Sequence, residues 1–204
     1  MANTRTENAV RSLVNLYTVV IGVALSLAVV TLMDAQKGLS AVTPTSILLF
    51  IAFIATLFPF YHGALRHLDD VYIENDHTNV RDGALMIDFI LLFLHALAFV
   101  VLSLLLNKPA DFAWLLIAVL AIDVVWGVFA HFSAPPGKRG ATAAGKWTII
   151  NFFFVMLSAV YLVSQGMFLN YAGGTTILAI LIALACILRT VVDYLWCRSF
   201  YFPH

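Results

Sequence analysis

The sequence predicts an all-α membrane protein, a six-transmembrane-helix bundle with both termini in the cytoplasm. Composition, the spacing of apolar runs and the sidedness of the basic residues carry this reading. Hydrophobic residues make up 62% of the 204 residues and charged residues only 11%, whereas a soluble domain is about a quarter charged. A soluble fold of this size has no interior large enough for so much apolar surface, but a bilayer accommodates it. Net charge is zero, so the basic patch that nucleic acid requires is missing, and the lipid bilayer is the first expected partner.

Runs of about twenty apolar residues, the length that crosses a hydrocarbon core, fall at 12–33, 46–64, 84–106, 112–132, 147–165 and 175–197. The first run exceeds the ~7–15 residues of a cleavable signal core and is expected to stay as a span. Turn chemistry separates the runs at Asn107-Lys108-Pro109, Pro135-Pro136-Gly137 and Ala172-Gly173-Gly174. Every linker is short except 65–83, so consecutive helices are expected to run antiparallel, and nothing between them is long enough to fold separately. Residues 1–204 are therefore expected to form one membrane domain.

With the N-terminus inside, the cytoplasmic segments hold Arg5, Arg11, Arg66, Arg81, Lys138, Arg139, Lys146 and Arg198, against Lys37 and Lys108 outside. This is the positive-inside bias; a bacterial-type inner (plasma) membrane is the expected location. Trp147, Tyr194 and Trp196 are expected at the inner interface and Trp114 and Tyr171 at the outer one, as an aromatic belt. Cys186 and Cys197 lie eleven residues apart on one helix, roughly 16 Å, too far for a disulfide. They read as small buried apolar residues.

Polar groups inside a bilayer are costly, so their positions carry the most functional information. An aliphatic residue, then Asp or Asn, then an apolar residue recurs as Val14-Asn15-Leu16, Ile87-Asp88-Phe89, Ile122-Asp123-Val124, Ile150-Asn151-Phe152 and Val192-Asp193-Tyr194. Asn15, Asp88 and Asn151 come early in outward helices, while His62, Asp123 and Asp193 come late in returning ones. All six spans thus bring a polar group to the cytoplasmic half, which predicts a polar cluster or vestibule there, closed outward by an apolar plug. Arg189 and Asp193, four apart, are placed for an ion pair on one helix face. Asp88 and His95, seven apart, also share a face. Asp123 has no partner within a turn of its own helix and needs Arg66, His62, Asn151 or water.

The densest polar stretch, from Pro59 to Asp70, brings His62, Arg66, His67 and Asp69 to the end of the second span. Leu65, Leu68 and Tyr72 keep helical spacing and extend the helix. His62-x4-His67 resembles the first histidine box of membrane di-iron desaturases and hydroxylases, but the His-x-x-His-His boxes of that family are missing. A metal site from His62, His67 and Asp69, or from His62, His67 and Asp88, stays open, and no other cofactor is expected. The six-helix layout resembles that of small bacterial potassium channels related to the lysosomal potassium channel. Their opening Arg…Phe-Ser-Asp motif is replaced here by Arg11 followed by Val14-Asn15-Leu16.

The chain has no P-loop, no Gly-x-Ser-x-Gly and no His-Glu-x-x-His, and no catalytic residue is assigned. The leading expectation is a channel or transporter subunit for an ion, proton or small solute. Asp88, Asp123 and Asp193 would be its coordinating carboxylates, with His62, Arg66, His95, Asn15, Asn151 and Arg189 beside them. Two other readings stay open: a non-catalytic assembly protein binding partner helices or further copies of itself, and a His/Asp enzyme acting on lipid or quinone.

Overall fold

The computed structural model describes residues 4–33, 42–74, 83–133, 143–168 and 174–202. Six long helices account for nearly all of them: α1 (Thr4–Met33), α2 (Pro44–Asp69), α3 (Ala84–Ser103), α4 (Pro109–Ser133), α5 (Ala143–Phe168) and α6 (Gly174–Trp196). A π-helical turn over Asp70–Glu74 continues α2, and a short α7 (Arg198–Tyr201) follows α6. Each long helix contains a stretch long and apolar enough to cross a membrane, so the chain is a polytopic α-helical membrane protein. Five of the six sequence-predicted spans begin a few residues late, because polar first turns such as Thr4–Arg11 are helical without being apolar. The linkers at 134–142 and 169–173, with Arg81, Lys37, Lys138, Arg139 and Tyr171, lie outside the described residues.

Local chemistry sets the helix starts. At α2 the Thr43 hydroxyl accepts from the Ser46 amide at 3.1 Å, and Ser46 Oγ accepts from the Thr43 amide at 2.9 Å. This capping box satisfies two donors that helix geometry leaves orphaned, and Pro44 fits the first turn because its missing N–H is one of them. Gly83 precedes α3 at φ 83°, a left-handed conformation that glycine adopts without a Cβ penalty.

One apolar cluster draws on all six helices, with Tyr17 and Ile21 of α1, Phe53 of α2, Phe99 of α3, Leu116 of α4, Phe154 of α5 and Ile182 of α6. Packing is most extensive within three pairs, α2 with α6, α4 with α5 and α1 with α3. Consecutive helices alternate in direction as expected, yet two of these tight pairs join helices that run the same way. Near the start of both α2 and α6, Thr45 bonds Thr176 at 3.1 Å, and further along Thr190 Oγ1 donates to the Ala55 carbonyl. The α4–α5 pair is antiparallel and close: a Cβ at Gly127 would collide with Thr148 Oγ1 and press on the Ala144 carbonyl. Small residues at such crossings let membrane helices approach where no hydrophobic drive separates protein from lipid.

Candidate functional site

The polar residues of the spans gather at one end of the bundle, where α2, α4 and α6 finish and α3 and α5 begin. They form two tiers. In the outer tier Asp88, in the second turn of α3, accepts three side-chain hydrogen bonds. Tyr72 Oη donates to Oδ2 at 2.8 Å, His67 Nε2 meets the same oxygen at 3.0 Å, and Trp126 Nε1 donates to Oδ1 at 3.0 Å. The π turn carries Tyr72 inward, where it packs with Val10, Leu13 and Leu68. His67 stacks edge-on against Trp126 with ring centroids 4.8 Å apart.

Asp193, one turn before the end of α6, is held the same way. Trp147 Nε1 of α5 donates to Oδ1 and Tyr201 Oη of α7 to Oδ2, both at 2.9 Å. Short α7 thus folds back over the polar end, and burial followed by the Asp193 charge pushes the Tyr201 hydroxyl well above the usual phenol range. The same two causes push the neighbouring Cys197 thiol up to about 12. Cys197 and Cys186 are both free and buried, in keeping with their reading as small apolar residues. Lys146 Nζ donates to the Trp196 carbonyl at 3.0 Å, a cation on the exposed carbonyls of a helix end.

The inner tier lies deeper. Asn151, fully buried, bridges α4 and α6: its Nδ2 donates to Asp123 Oδ2, and its Oδ1 accepts from Arg189 Nε at 2.7 Å. The Arg189 guanidinium lies 4.9 Å from the Phe60 ring centroid, a cation–π contact that is worth more where water is scarce. His95 lies on α3 between Phe60, at 5.3 Å between ring centroids, and the Asp123 side of the bundle. Tyr17 stacks on Tyr61 at 5.8 Å. Three atoms of this tier are buried without a hydrogen-bond partner: Tyr17 Oη, His95 Nε2 and Arg189 Nη1.

A cavity of about 50 Å³ joins the tiers, lined by all three carboxylates together with Tyr17, His67, His95, Arg189 and Tyr201. That is room for a few water molecules or one small polar solute. The predicted concentration of polar groups at one end is therefore present, but as a small cavity beneath α7 and not a wide vestibule. Away from this end the helices pack through the apolar cluster.

Of the sequence-predicted site residues, Asp88, Asp123, Asp193, His95 and Arg189 line this cavity and Asn151 joins two of them. Three others are placed elsewhere. Asn15 is exposed on α1, and Tyr17, two residues on, takes the inward position. His62 meets Tyr194 Oη at 3.3 Å and packs on Tyr201 at 4.8 Å. Arg66 Nε donates to the Phe200 carbonyl at 3.2 Å. The Arg189–Asp193 ion pair that the spacing allowed is replaced by Arg189 to Asn151 and by Trp147 and Tyr201 to Asp193. His67, paired with Asp88, and His62, turned to Tyr194, are not brought onto one metal with Asp69. Among the described residues no three His, Cys, Asp or Glu side chains form a metal-sized group.

Trp147 corrects the expected aromatic belt, since it is a buried donor to Asp193; Trp114 and Trp196 are exposed as a belt would have them. Tyr72, Trp126, Trp147 and Tyr201 are site residues that reading the sequence missed. Each could have been found as an aromatic with a polar tip at the depth of an intramembrane acid.

Fold and site together define a polytopic helical membrane protein with an ionisable centre buried among its spans. Comparison with known proteins finds no match to a family model, a curated sequence or a solved structure.

Proposed function

We propose that this protein is a membrane carrier that binds a proton or small polar solute at the inner tier and releases it through the end covered by α7. The carrying observation is the mismatch between tiers. Asp88 and Asp193 are saturated by donors, whereas Tyr17, His95 and Arg189 each keep an unpartnered polar atom on or beside one cavity. Leaving such groups buried costs roughly 1–3 kcal/mol each, and ionisable residues at this depth characteristically serve ion and proton pathways. The apolar packing beyond the cavity favours a carrier that occludes its cargo over a continuously open channel. In this reading the polar end faces the cytoplasm of a bacterial-type inner membrane, the side that the bias of basic residues favours.

In this reading Asp123 is the exchanging group. Asn151 holds it within the field of Arg189, and His95 is the adjacent proton acceptor. Asp88 and Asp193 position the helices that carry these side chains. Purified protein in liposomes loaded with a pH-sensitive dye is expected to dissipate an imposed proton gradient or to acidify on solute addition. Asp123→Asn is expected to abolish that flux while eluting as the wild-type species. Wild-type flux in a well-folded Asp123→Asn protein would reject the proposal.

A further inference from the structure

A second, larger cavity of about 210 Å³ lies in the apolar half between α4, α5 and α6, and Arg189 lines it as well as the polar one. Its walls are Leu116 and Leu120 of α4, Phe154 and Leu157 of α5, and Leu181 and Ile182 of α6. It exceeds the ~150 Å³ of an apolar cavity able to take up benzene. Leu157 and Leu181 are 51% and 40% exposed, so the cavity borders the surrounding lipid and an amphiphile can reach it sideways from the bilayer. From Leu178 to Arg189 the lining on α6 follows roughly 16 Å of helix, the length of a medium-chain acyl tail.

Arg189 sits at the polar end of this space. It is 4% exposed, its Nε is bound to the neutral Asn151, and its Nη1 has no partner. Among the described residues it forms no ion pair: Asp193 is taken by Trp147 and Tyr201, and Asn151 stands between Arg189 and Asp123. An unsatisfied buried guanidinium N–H is costly, and a guanidinium matches carboxylate geometry with two parallel N–H donors. We infer that the site binds a single-chain carboxylate, its head on Arg189 and its tail in the 210 Å³ cavity. The head-to-tail direction agrees with an amphiphile drawn from the leaflet on the polar side. The inference shares Arg189 with the proposed carrier site but requires neither a transport cycle nor Asp123, so dodecanoate binding and proton flux can fail separately.

The test is binding of radiolabelled dodecanoate to the full chain in phosphatidylcholine nanodiscs, with empty nanodiscs as background. Saturable binding is expected, at least tenfold weaker in Arg189→Gln, only partly restored in Arg189→Lys, and lost in Leu157→Trp, which fills the cavity from its lipid side. Dodecanol, with the same chain and no carboxylate, is expected to compete at least tenfold less well on the wild-type protein. That arm decides the matter even where Arg189→Gln fails to fold. Binding no greater than in empty nanodiscs, or equal competition by dodecanol, would overturn the inference. So would a co-purified phospholipid chain that dodecanoate does not displace.

Discussion

Asp88 and Asp123 are both single acids in apolar helices, yet their surroundings differ in kind. Asp88 collects three donors from α2, the π turn and α4, whereas Asp123 shares one amide with Arg189 and faces unpartnered groups across a cavity. The first arrangement spends its hydrogen-bonding capacity on closing helices together. The second leaves capacity open, which is what binding requires. The two acids differ in depth and, more decisively, in how many donors reach them.

The largest stability effect expected from this contrast is at Asp88. Asp88→Ala strands His67, Tyr72 and Trp126 without an acceptor, and removing one side of such a buried arrangement costs about 3–5 kcal/mol. Thermal unfolding in detergent, followed by tryptophan fluorescence, is expected to show a large drop in midpoint. A near-native midpoint would mean that Asp88 belongs with the open tier.

Tyr201→Phe is the intermediate case. It removes the Tyr201 donor to Asp193, leaves that of Trp147 and keeps the ring packed against Trp147, so about 1.5–3 kcal/mol is expected for a hydrogen bond to a charged group. Because α7 then loses its tie to α6, limited proteolysis is expected to cut near Arg198 sooner than in the wild type. Unchanged protection would show that aromatic packing alone holds α7 down.

Asp123→Asn should be mildest for stability, since an amide can replace one acceptor and interhelical hydrogen bonds in membranes average about 0.6 kcal/mol. The same unfolding assay is expected to give a midpoint close to wild type. A drop like that of Asp88→Ala would erase the distinction between the tiers.

Most of the fold was legible in the sequence, because apolar length and turn residues define spans without reference to their neighbours. The end of the bundle that holds the polar groups was equally legible, since position along a span gives depth directly. Facing was not. Lipid is as apolar as the core, so a membrane helix lacks the amphipathic stripe that would show which side turns inward. That is why Asn15 was placed in the site while Tyr17 was passed over. Spacing also suggested Arg189 with Asp193, but the choice of partner depended on Trp147, Asn151 and Tyr201 arriving from α5 and α7. Such arrivals are set by packing between helices distant in sequence.

The three tight helix pairs bear on how the molecule could move. Gly127 locks α4 to α5 at backbone distance, and the hydroxyl ties between α2 and α6 couple that pair at Thr45–Thr176 and again at Thr190. Stiffness is therefore concentrated within pairs, and the compliant joints run between them. Both cavities sit on those joints, so a small rocking of α4–α5 against α2–α6 would change the width of the two chambers together, with Arg189 as the shared pivot.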